Sequence, residues 1–312
     1  MTLTTTQADY YSRNKLAKGV AETLIKESAI LKKLPFVNVV GNALAVNMED
    51  EDSLGSVAFR SPNSTWTEST GNIEQVTFSL KVLGEDADVD TFLRSTRSDE
   101  TDLMKEQIKM KTKLMKHAFE STALYGNKDS SNEFDGFHAW GVDYSAQVVN
   151  AGSTDTGAAL TVAELDKAID LVMAGTPNAI ICNRNVKRRM TQYLRTVGSY
   201  VTDRDEYGNL WEYWQGIPIM VSDSFVQTET IATGTYAAKT GGACSSLVVA
   251  YFAEGDGVCG IQNGGIDVQM FDKLETKDAS RCRIKWYCGL ALYNPKAFAI
   301  VDGITDVAMT NA

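Results

Sequence analysis

The sequence predicts an α+β protein, in which one very long helix is combined with long alternating strands. The helix is expected over residues 99–125, where Ser98 can cap the first turn and apolar side chains recur at helical spacing. Apolar and polar residues alternate over residues 76–82 and 282–292, which is typical of half-buried strands. Residues 161–197 predict a helix, a short apolar strand and a second helix.

The composition is that of an ordinary globular protein. The chain has 312 residues, of which 44% are apolar and 22% charged. These values exclude a disordered chain, a collagen-like repeat and a mini-protein. Forty acidic against thirty basic residues give a formal net charge of −10, which disfavours a protein that coats phosphate backbones. No apolar run reaches the roughly 18–20 residues that span a bilayer, so no membrane partner is expected.

Cysteines and histidines give no sign of a reactive centre. The five cysteines are widely spread without a Cys-x-x-Cys pair, and we interpret them as reduced, mostly buried thiols. The two histidines, His117 and His138, are interpreted as structural. Residues 255–260 spell Gly-x-Gly-x-x-Gly, but strand-like sequence follows where a dinucleotide site needs a helix, so a glycine-rich turn is expected. The sequence predicts no catalytic residues, no cofactor and no metal ion.

Two predicted segments lack an obvious core to pack against. Residues 16–34 are amphipathic and mainly basic, and Pro35 ends them. Alternating runs around Val46 and Phe78 flank an acidic, turn-rich stretch, which predicts a long two-stranded ribbon with an irregular tip near Trp66. An isolated two-stranded ribbon is only marginally stable in water. It either folds back onto its own body or lies on another subunit.

The predicted long helix also carries a row of lysines. Lys105, Lys109, Lys113 and Lys116 recur three or four residues apart. Two interpretations remain open: a solvated face, or a surface that faces a nucleic acid or an acidic neighbour.

The order of these elements is more informative than any short motif. An amphipathic arm is followed by a ribbon, a long helix, a glycine-containing loop, an α/β region and a strand-rich return. Five stretches carry a specific pattern: residues 16–36, residues 47–82, residues 127–137 with Phe-Asp-Gly-Phe at their end, residues 216–223 with Gly-x-Pro near their start, and residues 287–300 with a proline after a long strand. In this order the chain resembles the major capsid proteins of tailed bacteriophages, which have the Hong Kong 97 fold.

The resemblance implies a division of the chain into four parts. These are an N-terminal arm at residues 1–34, a peripheral (P) domain at residues 35–46, 83–136 and 264–290 with the long helix as its spine, an extended E-loop at residues 47–82, and an axial (A) domain at residues 137–263 and 291–312.

The resemblance also implies a function and its contact residues. The chain would self-assemble into pentamers and hexamers that form an icosahedral shell around packaged double-stranded DNA, as part of a virion assembled in the host bacterial cytoplasm. Subunit contacts are expected from Arg60, Trp66, Glu68 and Phe78 of the E-loop, from Asp203, Arg204, Asp205, Glu206 and Tyr207 around the capsomer axis, and from Tyr10, Tyr11 and Arg13 of the arm. The acidic net charge agrees with weak, non-specific contacts to the DNA.

Two departures from the family pattern bear on assembly. Some members carry a long N-terminal scaffolding segment, whereas this arm begins within a few residues of Met1, so a separate scaffolding protein is expected. The resemblance also implies a portal and leaves room for a decoration protein. Other members join subunits through an E-loop lysine, but no lysine lies between Val46 and Leu80. A non-covalent shell is therefore expected.

Three alternatives stay open at this stage. An encapsulin has the same fold and encloses protein cargo instead of DNA. A soluble α+β hydrolase could use His138 or a pair of carboxylates. A phage DNA-binding protein could use the basic helix between Arg184 and Arg195, although the net charge disfavours it.

Overall fold

The computed structural model describes most of the chain. The described residues are 19–20, 28–49, 57, 59–66, 73–97, 103–129, 132–152, 157–204, 210–230, 241–271 and 274–311. The helices are α1 (Ala29–Lys33), α2 (Thr91–Arg97), α3 (Leu103–Tyr125), α4 (Phe137–Asp143), α5 (Val162–Leu171) and α6 (Arg184–Val197). The strands are β1 (Phe36–Asn38), β2 (Ala43–Glu49), β3 (Ile73–Ser79), β4 (Lys81–Asp90), β5 (Val148–Asn150), β6 (Ala179–Cys182), β7 (Val201–Arg204), β8 (Leu210–Trp214), β9 (Ile217–Val221), β10 (Ser245–Ala250), β11 (Val258–Phe271), β12 (Ala279–Leu292) and β13 (Phe298–Ile304).

These strands form three sheets. A four-stranded sheet has the order β1-β11-β12-β4, in which β1 runs parallel to β11 and the other neighbours are antiparallel. A seven-stranded sheet has the order β5-β13-β10-β6-β9-β8-β7. Strands β2 and β3 pair with each other as a separate ribbon. Helices combined with largely antiparallel sheets confirm the α+β prediction.

Helix α3 packs on the four-stranded sheet and forms the centre of the larger core. The apolar stripe predicted for it is buried, which confirms the amphipathic pattern. Phe119 is fully buried, and its ring centroid lies 5.1 Å from that of Trp286 on β12 and 6.3 Å from that of Phe36 on β1. The predicted cap at Ser98 lies outside the described residues.

Side-chain caps define two helix starts beside the seven-stranded sheet. Thr161 and Glu164 cap α5 reciprocally: the Glu164 amide donates to Thr161 Oγ1 at 3.1 Å, and the Thr161 amide donates to Glu164 Oε2 at 2.9 Å. The side chain of Asn183 accepts from the Val186 amide at 2.8 Å at the start of α6. Gly198 ends α6 with a φ of 78°, a conformation that glycine adopts without strain.

Strand β11 crosses the domain boundary predicted between residues 263 and 264. It pairs with β12 from Val258 to Phe271, so the predicted boundary falls inside one strand of the four-stranded sheet. The register shifts between Gln262 and Ile266, where Gly264 and Gly265 have φ near 75°. This glycine bulge bends the strand without ending it, and the division into P and A domains stays a prediction.

Candidate subunit interface

The E-loop begins and ends as a regular antiparallel ribbon. Strands β2 and β3 pair from Ala43 opposite Ser79 to Glu49 opposite Ile73. Gln75 Nε2 donates across the strands to Asn47 Oδ1 at 3.0 Å. The two-stranded ribbon predicted from the alternating pattern is therefore present.

The base of the ribbon packs on its own chain. Val46, Met48 and Phe78 are buried, and the ring of Phe78 meets Trp140 of α4 edge-on with a centroid distance of 6.2 Å. In the single chain Phe78 therefore anchors the base of the ribbon. Its place at a subunit interface stays a prediction.

The tip of the ribbon contains an ordered turn. Pro62 and Asn63 occupy its centre, Asn63 has a φ of 70°, and the Ser64 amide donates to the Ser61 carbonyl at 3.2 Å. Proline followed by a residue with positive φ is the arrangement of a type II turn. Arg60 Nη1 donates to the Ser64 carbonyl at 2.6 Å, which links the residues on the two sides of the turn.

The described part of the chain does not cover several large apolar side chains near this turn. Val57 and Phe59 are fully exposed, and Trp66 and Ile73 are exposed by about two thirds. The Arg60 guanidinium lies 5.5 Å from the Trp66 ring centroid, which leaves most of the ring uncovered. A group of exposed apolar residues on one extension is typical of a protein contact surface. Val57, Phe59 and Ile73 were missed from the sequence, although their alternation within the ribbon was visible.

A second hairpin lies at an edge of the seven-stranded sheet. Strands β7 and β8 pair antiparallel from Val201 opposite Tyr213 to Arg204 opposite Leu210. Val201 and Leu210 are exposed, as is the predicted axis residue Asp203. The described parts of this hairpin thus lie at the sheet edge, and the contacts expected around a capsomer axis stay a prediction.

Several predicted contact residues cannot be placed. Glu68 of the E-loop, Asp205, Glu206 and Tyr207 of the axis loop, and Tyr10, Tyr11 and Arg13 of the arm lie outside the described residues.

A buried polar cluster joins the end of α3 to the seven-stranded sheet. The Tyr125 and Ser246 hydroxyls both donate to Glu229 Oε1, the latter at 3.2 Å. His138 stacks on Tyr125 with a centroid distance of 4.8 Å, and its Nε2 lies 2.9 Å from Ser246 Oγ. The cluster connects residues about a hundred positions apart, a feature without a local sequence signal.

This cluster does not form a hydrolase site. Ser246 is fully buried and His138 nearly so, so a substrate carbonyl has no access to the hydroxyl. The Glu229 carboxyl contacts the serine and the tyrosine and does not orient the histidine, as a catalytic triad requires. Burial lowers the pKa of His138 to about 4, far from the neutral range in which a general base works.

Glu229 is expected to make stability depend on pH. Burial raises its pKa to about 8, although the bonds from Tyr125 and Ser246 oppose this shift. A carboxyl with a raised folded-state pKa stabilises the fold at low pH and loses that contribution as pH rises toward the folded pKa. As the pH rises from about 6 to 8, wild type should therefore lose unfolding free energy that Glu229→Gln keeps. The difference between the two proteins should grow in favour of the variant by at most about 1.4 kcal/mol per pH unit.

Chemical denaturation of both proteins across this pH range measures the effect. The comparison cancels the contributions of His138 and Asp302, which are common to both proteins. Glu254→Gln, at an exposed position, is the matched control and should change little. A difference between wild type and Glu229→Gln that is constant with pH would contradict the raised pKa.

Three of the four arginines of α6 have acidic partners in the same chain. Arg184 forms two bonds to the carboxylate of Asp223, at 2.6 and 2.8 Å. Arg188 and Arg189 both bind the carboxylate of Asp306 at 2.8–2.9 Å. The helix is therefore a poor candidate for the phosphate-binding surface that a DNA-binding protein requires.

The cysteines are buried and unreactive. All five are free and buried, as predicted. Burial raises the pKa of Cys182 and Cys288 to about 12, and that of Cys259 and Cys282 to about 11. The nucleophilic thiolate is scarcely populated at neutral pH.

The described residues contain no cluster of three or more histidine, cysteine, aspartate or glutamate side chains that could hold a metal ion. No helix in the described ranges is long and apolar enough to span a membrane.

Comparisons with known proteins agree with this geometry. A Synechococcus elongatus PCC 7942 encapsulin, solved as the holo-SrpI complex, is 17% identical with a TM-score of 0.66, and the match covers 90% of this chain and 88% of that one. A structure from Mycobacterium phage Bobi is 13% identical with a TM-score of 0.61, covering 88% of this chain and 89% of that one. The capsid of a native GTA particle is 14% identical with a TM-score of 0.58, covering 90% of each chain. These likenesses establish the Hong Kong 97 fold.

A family comparison favours one kind of shell protein. No curated protein matches the chain, but residues 79–230 match the family described as SU10 major capsid protein. The chain is a capsid shell protein, and this match favours the tailed-phage type. The match runs from β4 through the spine helix α3 to the loop that carries Glu229.

The identification gives the exposed ribbon tip a context. A capsid protein builds a shell from copies of itself, so its extensions can be covered by neighbouring subunits. The family is structural, and the protein is a component of the virion capsid. Of the predicted contact residues, the described part of the capsid protein leaves Arg60, Trp66 and Asp203 exposed.

Proposed function

We propose that this capsid protein forms pentamers and hexamers that close into an icosahedral shell around double-stranded DNA. The uncovered apolar tip of the E-loop carries this proposal. The base of the E-loop is anchored on Trp140, whereas the side chains of Val57, Phe59 and Trp66 are exposed. Burial of a Trp or Phe side chain contributes about 1.5–3 kcal/mol, so a second copy that covers this tip stabilises the assembly.

Two other segments of the chain would supply the remaining contacts. The hairpin β7–β8 at the sheet edge supports a role for residues 203–207 around the capsomer axis. Tyr10, Tyr11 and Arg13 of the arm would reach a further neighbour. Arg60 and Glu68 would flank Trp66 at the E-loop contact.

The charge distribution supports weak contacts with the packaged DNA. The chain has a net charge of −10, and Arg184, Arg188 and Arg189 of α6 are paired with carboxylates within the chain. Tight phosphate binding would require many unneutralised basic groups. A scaffolding protein and a portal during assembly in the host cytoplasm, and a decoration protein on the shell, complete the proposed set of partners.

Negative-stain microscopy of the expressed chain tests the shell. We expect closed icosahedral particles, and a small soluble oligomer as the sole product would contradict the proposal. The ultraviolet absorbance of particles from the native source then tests the contents. A spectrum dominated by nucleic acid supports a phage head.

An encapsulin-type compartment is the second candidate. The similarity to the Synechococcus encapsulin favours it as an alternative, because both kinds of shell use this fold. Native particles with a protein spectrum and enclosed protein cargo would establish it in place of the phage head.

The shell is expected to be held together without covalent links. The E-loop has no lysine between Val46 and Leu80 that could form an isopeptide bond. Mature particles boiled in detergent should therefore give one band at the mass of the monomer on a denaturing gel. A ladder of dimers and higher species would contradict this expectation.

A further inference from the structure

A buried carboxyl group connects the segment before Pro35 to the rest of the chain. Glu120 lies on the spine helix α3 and is only 1% exposed. Its Oε1 accepts a hydrogen bond from the Ser28 hydroxyl at 2.6 Å, and its Oε2 accepts one from the Ser222 hydroxyl at 3.1 Å. Both serines are buried as well. The carboxyl group therefore joins three segments that are about a hundred positions apart in the sequence.

Ser28 is also the N-cap of helix α1. Its Oγ accepts a hydrogen bond from the Leu31 amide at 3.2 Å, so the same hydroxyl caps the helix and donates to the carboxyl group. Helix α1 has only five residues, too few for a helix to be stable by itself in water. It depends on contacts with the rest of the chain. Ile30 is fully buried, and the Lys33 ammonium lies 5.6 Å from the centroid of the Trp211 ring on β8.

The hydrogen bonds of Glu120 favour one position of α1 over others. Ser222 directly follows β9, and its Oγ accepts from the Ser224 amide at 3.3 Å, which fixes the hydroxyl at the end of that strand. A buried polar group without a partner costs free energy. Apolar packing alone would tolerate small shifts of α1, but any shift that removes the Ser28 hydroxyl leaves Oε1 of Glu120 without this donor.

We infer that Glu120 is the positioning residue of the N-terminal arm: by accepting from Ser28, it holds α1 on the spine helix and fixes where the arm leaves the subunit. The contacts of the preceding arm residues with a neighbour belong to the proposed function, and the consequence for the shell rests on it. The attachment of α1 itself is a property of the single subunit and is tested there.

Limited trypsin digestion of unassembled subunits of the full chain measures how often α1 opens. Lys33 is exposed at the end of α1. Cleavage after Lys32 or Lys33 gives a fragment that begins at Lys33 or Leu34, which mass spectrometry identifies. The rate of this cleavage follows the population of the open form. Glu120→Leu keeps the cap of α1 but removes both acceptors of the carboxyl group, and we expect about tenfold faster cleavage.

A second variant leaves the spine helix unchanged. Ser28→Gly removes the hydroxyl, and glycine is itself an acceptable N-cap, so the change of cap alone should alter the opening of α1 by less than about twofold. We expect about tenfold faster cleavage because the hydrogen bond to Glu120 is lost. The matched control is Ser222→Ala, which removes the other hydroxyl from the same carboxyl group. Its cleavage rate should stay within about twofold of wild type, because the bond from Ser28 is retained.

Three results would overturn the inference. Ser28→Gly could be cleaved at the wild-type rate, which would show that apolar packing around Ile30 is enough to hold α1. Ser222→Ala could be cleaved as fast as Ser28→Gly, which would indicate a general loosening of the core. A folded Glu120→Leu subunit could be cleaved at the wild-type rate. If Glu120→Leu does not fold, the comparison of the two serine variants decides the question.

Shell formation by the same preparations is scored separately by negative-stain microscopy. Ser28→Gly should give fewer closed shells than Ser222→Ala, and equal yields would contradict the positioning role. Wild-type shells together with any of the three overturning results would refute this inference alone. Faster cleavage of Ser28→Gly, with small soluble oligomers as the sole product even of wild type, would refute the proposed shell and leave the attachment of α1 by Glu120 standing.

Discussion

Shortening the E-loop should abolish shell assembly while the subunit still folds. In the variant, the dipeptide Asn-Gly replaces residues 50–72. It connects Glu49 to Ile73, which already lie opposite each other in the ribbon, through a two-residue turn. The buried base at Val46 and Phe78 is retained, so the thermal midpoint should change by less than about 4 °C. Losing a central aromatic contact of about 2 kcal/mol lowers an association constant about thirtyfold, and the loss is repeated at every subunit.

Sedimentation and negative-stain microscopy measure the result. The variant should remain in the fraction of small species under conditions in which wild type forms shells. Thr77→Ala, at an exposed polar position of the same ribbon, is the control and should assemble normally. Shells from the shortened variant in wild-type yield would show that the tip is dispensable.

Phe119→Ala should be the most destabilising single substitution among those considered. Phe119 is fully buried, and its ring lies within 6.3 Å of Phe36, 5.7 Å of Phe134 and 5.1 Å of Trp286, measured between centroids. Truncation leaves a cavity at the point where α3 meets the four-stranded sheet. We expect a loss of about 3–5 kcal/mol of unfolding free energy.

Urea unfolding of unassembled subunits, followed by tryptophan fluorescence, measures this loss. Phe92→Ala removes the same ring from a position that is 69% exposed. It should change the unfolding free energy by no more than about 0.5 kcal/mol. Equal effects of the two substitutions would contradict the assignment of Phe119 to the centre of the core.

Local periodicity made much of the fold predictable. The stripe that buries Phe119 and the alternation that forms the E-loop ribbon are properties of short sequence windows, and both elements are present. The type of an element follows from its own period, and the order of the elements gave the resemblance to the capsid family. The exposed position of Trp66 could also be expected, because a ribbon tip has little cover of its own.

Contacts between distant parts of the chain were not predictable in the same way. Phe78 has the alternation of a strand, but whether it faces its own body or a neighbour depends on where Trp140 lies in space. The bonds from Tyr125 and Ser246 to Glu229 connect three separate elements. The resemblance implied a domain boundary between residues 263 and 264, whereas β11 continues there through a bulge because its neighbour β12 is long enough to pair on both sides.

A near-atomic reconstruction of the assembled particle tests the central claim most directly. The claim is that the E-loop tip, anchored at its base on its own chain, is covered by another copy. The account predicts that Phe59 and Trp66, exposed in the single chain, are buried against a neighbouring subunit in the shell. A particle in which the tip is open to solvent, or folded onto its own subunit, would contradict it.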